Sequence, residues 1–324
     1  MSPGVARDLA NCVVVITGAS SGIGRAAARR FALEGSSLVL AARAEGPLRD
    51  AAEECERLGA AVLAVPTDVR DESAVLALAS RAVEGFGRLD VWVNSAGVMA
   101  YGRFGEVPSE VFRAVIETNL FGQVHGARAA LPHFHRQHSG VLINLSSVWG
   151  RVTAPDVSAY VASKFAVRAL GECLRQELRN EPDVDVATIL PQAVDTPIFA
   201  RAANYSGRSV RPIPPLLDPE EIADGTVLCA QSPKREVTYA RMGRLLEVAH
   251  SLVPGLYNRL LPPAFEAGNY GNERLAPKDG GALRGESAPH GQRDGWKTDR
   301  RGELRRALLA TLRGSARGLR GRRL

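Results

Sequence analysis

Tyr160 and Lys164 lie four residues apart in the run Tyr160-Val161-Ala162-Ser163-Lys164. That spacing is about one helical turn, so a phenol and an ammonium can share one face of a helix. A free phenol, with a pKa of about 10, is a poor proton donor or acceptor near neutrality. A neighbouring cation favours the phenolate and is expected to bring the group toward a working range. Ser147 stands 13 residues before the tyrosine, just after the apolar run Val141–Ser146, where a hydroxyl can hold a carbonyl oxygen. Together the three predict proton exchange with a substrate oxygen held by the serine.

A second cluster near the N-terminus suits phosphates. The apolar run Cys12–Thr17 leads directly into Gly18-Ala19-Ser20-Ser21-Gly22-Ile23-Gly24 and then a helical pattern. Glycines let a backbone turn sharply and approach a pyrophosphate, while the helix that follows presents unpaired N–H groups and the positive end of its dipole. Strand, loop and helix in this order predict a dinucleotide site. At the end of the second apolar run, Leu40-Ala41-Ala42-Arg43 has no carboxylate to accept bonds from a ribose diol. It offers the cation Arg43 instead, and Arg25 adds another. Two guanidiniums suit a 2′-phosphate, so NADP(H) is favoured over NAD(H). An oxidised nicotinamide beside Tyr160 would further favour its phenolate.

With these motifs in this order, the chain resembles the short-chain dehydrogenase/reductase family over roughly residues 10–240. The matching pieces are the Thr17–Gly24 loop, Asp68-Val69, Asn94-Ser95-Ala96-Gly97, Asn119, Ile143-Asn144-Leu145-Ser146-Ser147, Tyr160 with Lys164, and Pro191 through Thr196. The resemblance implies a catalytic set of Asn119, Ser147, Tyr160 and Lys164. Tyr160 would be the acid/base, Ser147 would orient the carbonyl, and Lys164 would tune the phenol and hold the nicotinamide ribose. Asn119 would position a water in a proton relay. It implies a cofactor lined by Gly18, Ser20, Ser21, Gly22, Ile23, Gly24, Arg43, Asp68, Val69, Asn94, Ala96, Gly97, Tyr160, Lys164, Val194 and Thr196. Of these, Asp68 would touch the adenine, Asn94 would support the sheet, and Val194 and Thr196 would bind the carboxamide. Ser147 is preferred to Ser146 because the family's serine precedes its tyrosine by 13 residues; adjacent strand residues point to opposite faces, so only one can serve.

Two positions depart from the family pattern. Ser95 replaces an asparagine and keeps the turn. Gln192 stands where the family usually has glycine after Pro191; if the backbone there requires positive φ, a glutamine is strained.

The elements that must position these residues follow from periodicity. Short runs rich in β-branched and aliphatic residues cover Cys12–Thr17, Ser37–Ala42, Ala61–Pro66, Leu89–Asn94, Val141–Ser146, Val184–Leu190 and Glu236–Ala240, alternating with amphipathic stretches such as Gly22–Glu34 and Glu72–Phe86. Near-continuous apolar strands are buried on both faces. The expected fold is α/β: a doubly wound, Rossmann-type, seven-stranded parallel sheet with helices on both faces. Residues 1–240 form that catalytic domain. Residues 241–270 form an amphipathic helical extension interrupted at Pro254-Gly255, with Leu245, Val248, Ala249, Leu252, Leu256 and Leu260 on one stripe. Residues 271–324 hold 10 glycines and few large apolar groups before Leu304, which predicts a mostly disordered tail with a short helix near Glu303–Arg313. Between Thr196 and Asp218 an irregular stretch reads as a lid, whose Ile198, Phe199 and Tyr205, with Val148, Trp149 and Val157, predict an apolar substrate.

Composition excludes several other classes. At 324 residues, 45% hydrophobic and 23% charged, the chain can build a large core. Its net charge of +6 resides in the tail, where residues 271–324 carry 14 basic and 6 acidic side chains; the remainder is near neutral and lacks a broad basic footprint. Contact of the tail with nucleic acid or membrane is therefore the lesser reading beside a solvated extension. The four cysteines form no CxxC pair, no run spans a membrane, and no secretory leader is evident, so a cytoplasmic location is expected. His133, His135 and His138 read as a helix end rather than a metal site. The partners expected are a small carbonyl or alcohol substrate and, by resemblance, further copies of the chain in a dimer or tetramer joined through helices around Glu110–Phe134 and Ser158–Leu178. A cofactor-binding regulatory or scaffold protein without turnover is the alternative, and the unbroken catalytic set argues against it.

Overall fold

The computed structural model describes residues 6–240, 243–283 and 291–296. The first half of the body runs β1 (Val13–Thr17), α1 (Gly22–Leu33), β2 (Ser37–Ala42), α2 (Glu45–Arg57), β3 (Val62–Pro66), α3 (Glu72–Phe86). Next come β4 (Val91–Asn94), the two-residue β5 (Ala100–Tyr101), α4 (Ser109–Ile116) and α5 (Gly122–Gln137). The body closes with β6 (Gly140–Leu145), α6 (Ser158–Glu177), β7 (Val184–Pro191), short β8 (Ala203–Asn204) and β9 (Arg208–Val210), α7 (Pro219–Gln231) and β10 (Glu236–Tyr239). Helices α8 (Gly243–Leu252) and α9 (Pro254–Asn269) and strand β11 (Tyr270–Arg274) extend it.

Seven parallel strands pair in the order β10-β7-β6-β4-β1-β2-β3. Each expected strand is present, with ends displaced by two residues at most. The wholly buried β1, Val-Val-Val-Ile-Thr, explains the continuous apolar run: its odd and even side chains enter different cores. Val14 and Ile16 pack with α1, α2 and α7 on one face, while Val13 and Val15 pack with α3, α5 and the end of α6 on the other. The order reverses between β1 and β4, so the loops leaving their carboxyl ends part and leave a crevice there.

Asn94 closes the end of β4. Its Oδ1 accepts from Trp92 Nε1 at 2.8 Å, and its Nδ2 donates to Asn144 Oδ1 at 2.9 Å and to the Gln123 carbonyl at 3.2 Å. One amide thus ties β4, β6 and α5 together under the crevice. Between α4 and α5 the helix widens into a π-turn over Glu117–Phe121, and Asn119 sits within it.

The extension corrects two expectations. The helix breaks at Val253, beside the Pro254-Gly255 pair, but the predicted stripe is not its packing face. Val248, Leu252, Leu256 and Leu260 are 46–75% exposed, whereas Tyr257 and Phe265 are buried and Leu261 and Ala264 line the crevice. Two apolar stripes share α9, and periodicity alone does not rank them. The tail is also ordered at its start. Strand β11 pairs antiparallel with β9, Asn204 and Lys278 exchange backbone bonds of 2.8 and 3.0 Å, and Asp195 accepts from the Trp296 N–H at 3.0 Å. These are bonds from the tail's backbone to distant segments, which a glycine-rich composition does not reveal. The helix expected near Glu303–Arg313 lies outside the described residues.

Candidate active site

The phosphate loop is built by close backbone approach. Thr17 Oγ1 accepts from the N–H groups of Ser95 at 3.2 Å and Ala96 at 3.4 Å, binding the turn after β4 to the loop after β1. Gly18 has φ +71°, and a Cβ there would lie 2.7 Å from Ala96 Cα; one on Gly24 would lie 2.4 Å from the Gly18 carbonyl oxygen. Only glycine permits this contact. Helix α1 begins at Gly22 with no side-chain cap and no acidic residue in its first turn, so its positive end faces the crevice.

A single cavity of about 460 Å³ runs from this loop to the tyrosine. It brings together Gly18, Ser20, Ser21, Gly22, Ile23, Arg43, Val69, Ala96, Gly97, Ser147, Tyr160, Lys164, Val194 and Thr196 from the predicted set. The glycine cradle, the uncapped helix end and the cation at the end of β2 fit a dinucleotide with a charged ribose phosphate. Gly24, Asp68, Asn94 and Asn119 stand behind the wall, not on it. Gly24 holds the loop from behind and Asn94 braces the sheet.

At the far end, α6 carries Tyr160 and Lys164 on one face, with Lys164 Nζ 5.5 Å from the tyrosine ring centroid. Nζ donates to the Leu145 carbonyl at 2.8 Å, which anchors the ammonium to the end of β6. Burial pushes the Lys164 pKa down to about 8. It pushes the Tyr160 phenol up to about 12, with the Ser147 hydroxyl beside it opposing the rise. Burial is thus the larger influence on the phenol in the protein without cofactor, and the lowering expected from the ammonium and an oxidised nicotinamide together would have to act against it. Ser147 Oγ donates to the Pro191 carbonyl at 3.3 Å and accepts from the Trp149 N–H at 3.2 Å. Ser146, its rival, turns away and donates to the Lys164 carbonyl at 2.9 Å.

Asn119, Asp68, Arg25 and Gln192 all have partners within the protein. The Asn119 amide grips the backbone of Val98, accepting from its N–H at 2.8 Å and donating to its carbonyl at 2.9 Å, and donates to Ser163 Oγ at 3.1 Å. Its Oδ1 and Lys164 Nζ flank Gly97, 3.5 and 3.9 Å from where a Cβ would stand, so it positions the turn that borders the lysine. Asp68 is engaged by Arg70 at 2.5 Å instead of facing the cavity. Arg25 pairs with Glu54 at 2.6 Å, so its charge is met within the protein. Gln192 is not among the residues with positive φ. Its N–H donates to the Tyr239 carbonyl at 2.8 Å and its Nε2 to that of Pro215 at 2.6 Å, so the expected strain is absent and the side chain splices β7 to the following loop.

Around Tyr160 the cavity is lined by an apolar cluster of Met99, Tyr101, Val157, Phe199 and Phe265, with Trp149, Ile198, Ile213 and Trp296 packed against them. Trp149, Val157, Ile198 and Phe199 were expected there; Tyr205 is not in the lining, and its hydroxyl bonds Asp279. Met99, Tyr101, Phe265, Trp296 and Arg201 were missed. For Phe265 the available signal was the second apolar stripe of α9; for Trp296 there was none, since it lies in a polar, glycine-rich run.

The family model described as short chain dehydrogenase matches residues 12–205. An uncharacterized oxidoreductase of Bacillus subtilis, YxnA, is 33% identical over 280 residues, which cover 86% of this chain and 79% of that protein. Dehydrogenase/reductase SDR family member 7B of Bos taurus is 33% identical, covering 78% and 80%. A fatty acyl-CoA reductase of Acinetobacter baylyi is 31% identical, covering 78% and 84%. Among solved structures, the alcohol dehydrogenase of the archaeon Thermococcus sibiricus complexed with 5-hydroxy-NADP superimposes with a TM-score of 0.60 at 33% identity, covering 70% of this chain and 95% of that one.

Proposed function

The chain belongs to the short-chain dehydrogenase/reductase family and is an oxidoreductase of carbonyl and alcohol groups, and from that premise we propose that it is NADP(H)-dependent, acts on an apolar substrate and uses Tyr160 as its acid/base. One observation carries the reading: the phosphate loop and the Tyr160–Lys164 pair open onto the same cavity. When bound, the nicotinamide supplies a hydride to the carbonyl carbon in reduction or takes one from the alcohol carbon in oxidation. Ser147 orients the substrate oxygen, and Tyr160 gives it a proton in the first direction and removes one in the second. Lys164 holds its positive charge beside the phenol and stabilises the phenolate left after proton donation. Asn119 is a positioning residue that fixes Val98 and the turn bordering Lys164.

The preference for a phosphorylated cofactor is supported by Arg43 at the end of β2, where no carboxylate stands to hold a free ribose diol. The apolar cluster supports a substrate with a hydrocarbon body. No helix among the described residues is long and apolar enough to cross a membrane.

The test is Tyr160→Phe, assayed with NADPH against a panel of aldehydes and ketones. Turnover is expected to fall by about 10²–10⁴-fold while NADPH binding is kept. Reduction at the wild-type rate would refute the role of the phenol.

A further inference from the structure

Arg201, in the loop after β7, reaches the same corner of the cavity as Arg43. Its Nη1 lies 3.3 Å from Ser21 Oγ of the phosphate loop. Its backbone is held from two sides: its N–H donates to the Pro197 carbonyl at 3.0 Å, and its carbonyl accepts from the Gly281 N–H at 2.8 Å. Arg43 Nη2 donates to the Gly281 carbonyl at 2.8 Å. A Cβ built on Gly281 would stand 3.8 Å from both Nε and Nη2 of Arg201. Gly281 is therefore seated between two guanidiniums, and its carbonyl oxygen serves Arg43 as an oxygen of an anion would.

Among the described residues, two cations, Arg70 and Arg201, and one carboxylate, Asp68, bear on Arg43. Arg43 Nη1 is buried there without a hydrogen-bond partner, at a cost that an oxygen acceptor would remove. Burial first, and then the charges of Arg70 and Arg201, weaken the hold of Arg43 on its proton, against the pull of Asp68. Asp68 is the acidic group nearby, and its carboxylate is engaged by Arg70. Arg25, the other cation of the phosphate-loop helix, is bound to Glu54. A dianion placed between Arg43 and Arg201 would satisfy the orphaned donor and relieve the repulsion of the two cations together.

We infer that Arg201 and Arg43 form a two-guanidinium clamp for a phosphate monoester, the 2′-phosphate of the cofactor, with the Ser21 hydroxyl as a third donor. Arg201 is thus a specificity-determining residue supplied by the substrate-side loop, and the Gly281 carbonyl yields its place when the phosphate enters. This deepens the NADP(H) reading and rests on it.

The experiment measures dissociation constants of NADPH, NADH and the fragment 2′,5′-ADP by fluorescence titration for the wild-type chain, Arg43→Ala, Arg201→Ala and Arg201→Lys. In Arg201→Ala, NADPH and 2′,5′-ADP are expected to weaken by about ten- to a hundredfold, as for loss of one charge-assisted contact. NADH should change less than about threefold, which also reports that the variant is folded, and Arg201→Lys should recover part of the loss. Wild-type protein that binds NADH as tightly as NADPH would sink the NADP(H) reading itself. Wild-type preference lost in Arg43→Ala but intact in Arg201→Ala would overturn the clamp alone. Equal weakening of NADPH and NADH in Arg201→Ala would also overturn it, because the residue would then serve the pyrophosphate common to both.

Discussion

Lys164 is 4% exposed, yet its pKa of about 8 leaves it charged at neutral pH, so the folded state carries a nearly dry ammonium. The fall from its ordinary 10.5 corresponds to about 3 kcal/mol of unfavourable energy for the charged form. The sign of the pH dependence follows. Between roughly pH 8 and 10.5 the unfolded chain still binds the proton that the folded chain has released, so stability rises with pH over that window. From pH 7 to 9.5 the gain is about 2 kcal/mol. Lys164→Met fills the same space without the charge and removes this part of the slope. At pH 7 the variant should match or exceed the wild type in stability while losing turnover, and the difference should shift by about 2 kcal/mol in favour of the wild type by pH 9.5. Urea unfolding of both proteins at several pH values measures this directly, and groups common to both cancel. Parallel stability curves for the two proteins would refute the reasoning, since they would mean that the ammonium is hydrated or paired in the folded state.

Asn94→Ala strips the Trp92 indole N–H and Asn144 Oδ1 of their buried partner and should cost about 2–4 kcal/mol in urea unfolding, with cofactor affinity falling as the floor of the crevice loosens; a loss under about 0.5 kcal/mol would contradict the bridging role. Glu236 on β10 is pushed up by burial, but Arg168 at 2.8 Å and Arg151 at 2.5 Å outweigh this and hold its carboxyl below the usual range. A lowered carboxyl contributes stability above its ordinary pKa that is lost as pH falls, so Glu236→Gln should flatten the acid limb of the stability curve below about pH 5. An unchanged acid limb would count against that ion-pair set.

What the sequence made legible was local. β1, its glycine loop and α1 are contiguous, and each glycine is required by a contact within a few residues or by the turn after β4. The Tyr160–Lys164 pair needs only a helix to bring its members together, and Ser147 only the end of an adjacent strand. What was not legible depends on segments far apart in the chain. Arg43 meets Gly281 across 238 positions, and no periodicity marks a glycine in a polar run as the occupant of a cation corner. Arg25 was read as a phosphate ligand because its partner Glu54 lies on another helix, 29 residues away. Asp68 shows a subtler dependence: a residue two positions on, Arg70, engages the carboxylate that the motif would assign to an adenine. Gln192 shows that a family glycine need not mark a left-handed backbone.

The opposite movements of Tyr160 and Lys164 bear on the direction of the reaction. Both are desolvated by the same walls, but burial penalises charge, and the two groups are charged on opposite sides of their titrations. The phenol therefore keeps its proton across the neutral range, while the ammonium is held less tightly than usual. If Tyr160 is the acid/base as proposed, a protonated donor suits reduction, where a carbonyl oxygen gains negative character and must be given a proton. The phenolate so formed stands 5.5 Å, ring centre to Nζ, from a cation that gains most from it when water is excluded. On the same proposal, oxidation starts from the other end: the phenol must first lose its proton in a site where burial resists the charge, so it is favoured by added positive charge. A positively charged oxidised nicotinamide would supply it. On the proposed mechanism, the apolar residues clustered with Tyr160, Phe199 and Phe265 among them, favour the protonated phenol until positive charge arrives beside it, although neither exchanges a proton itself.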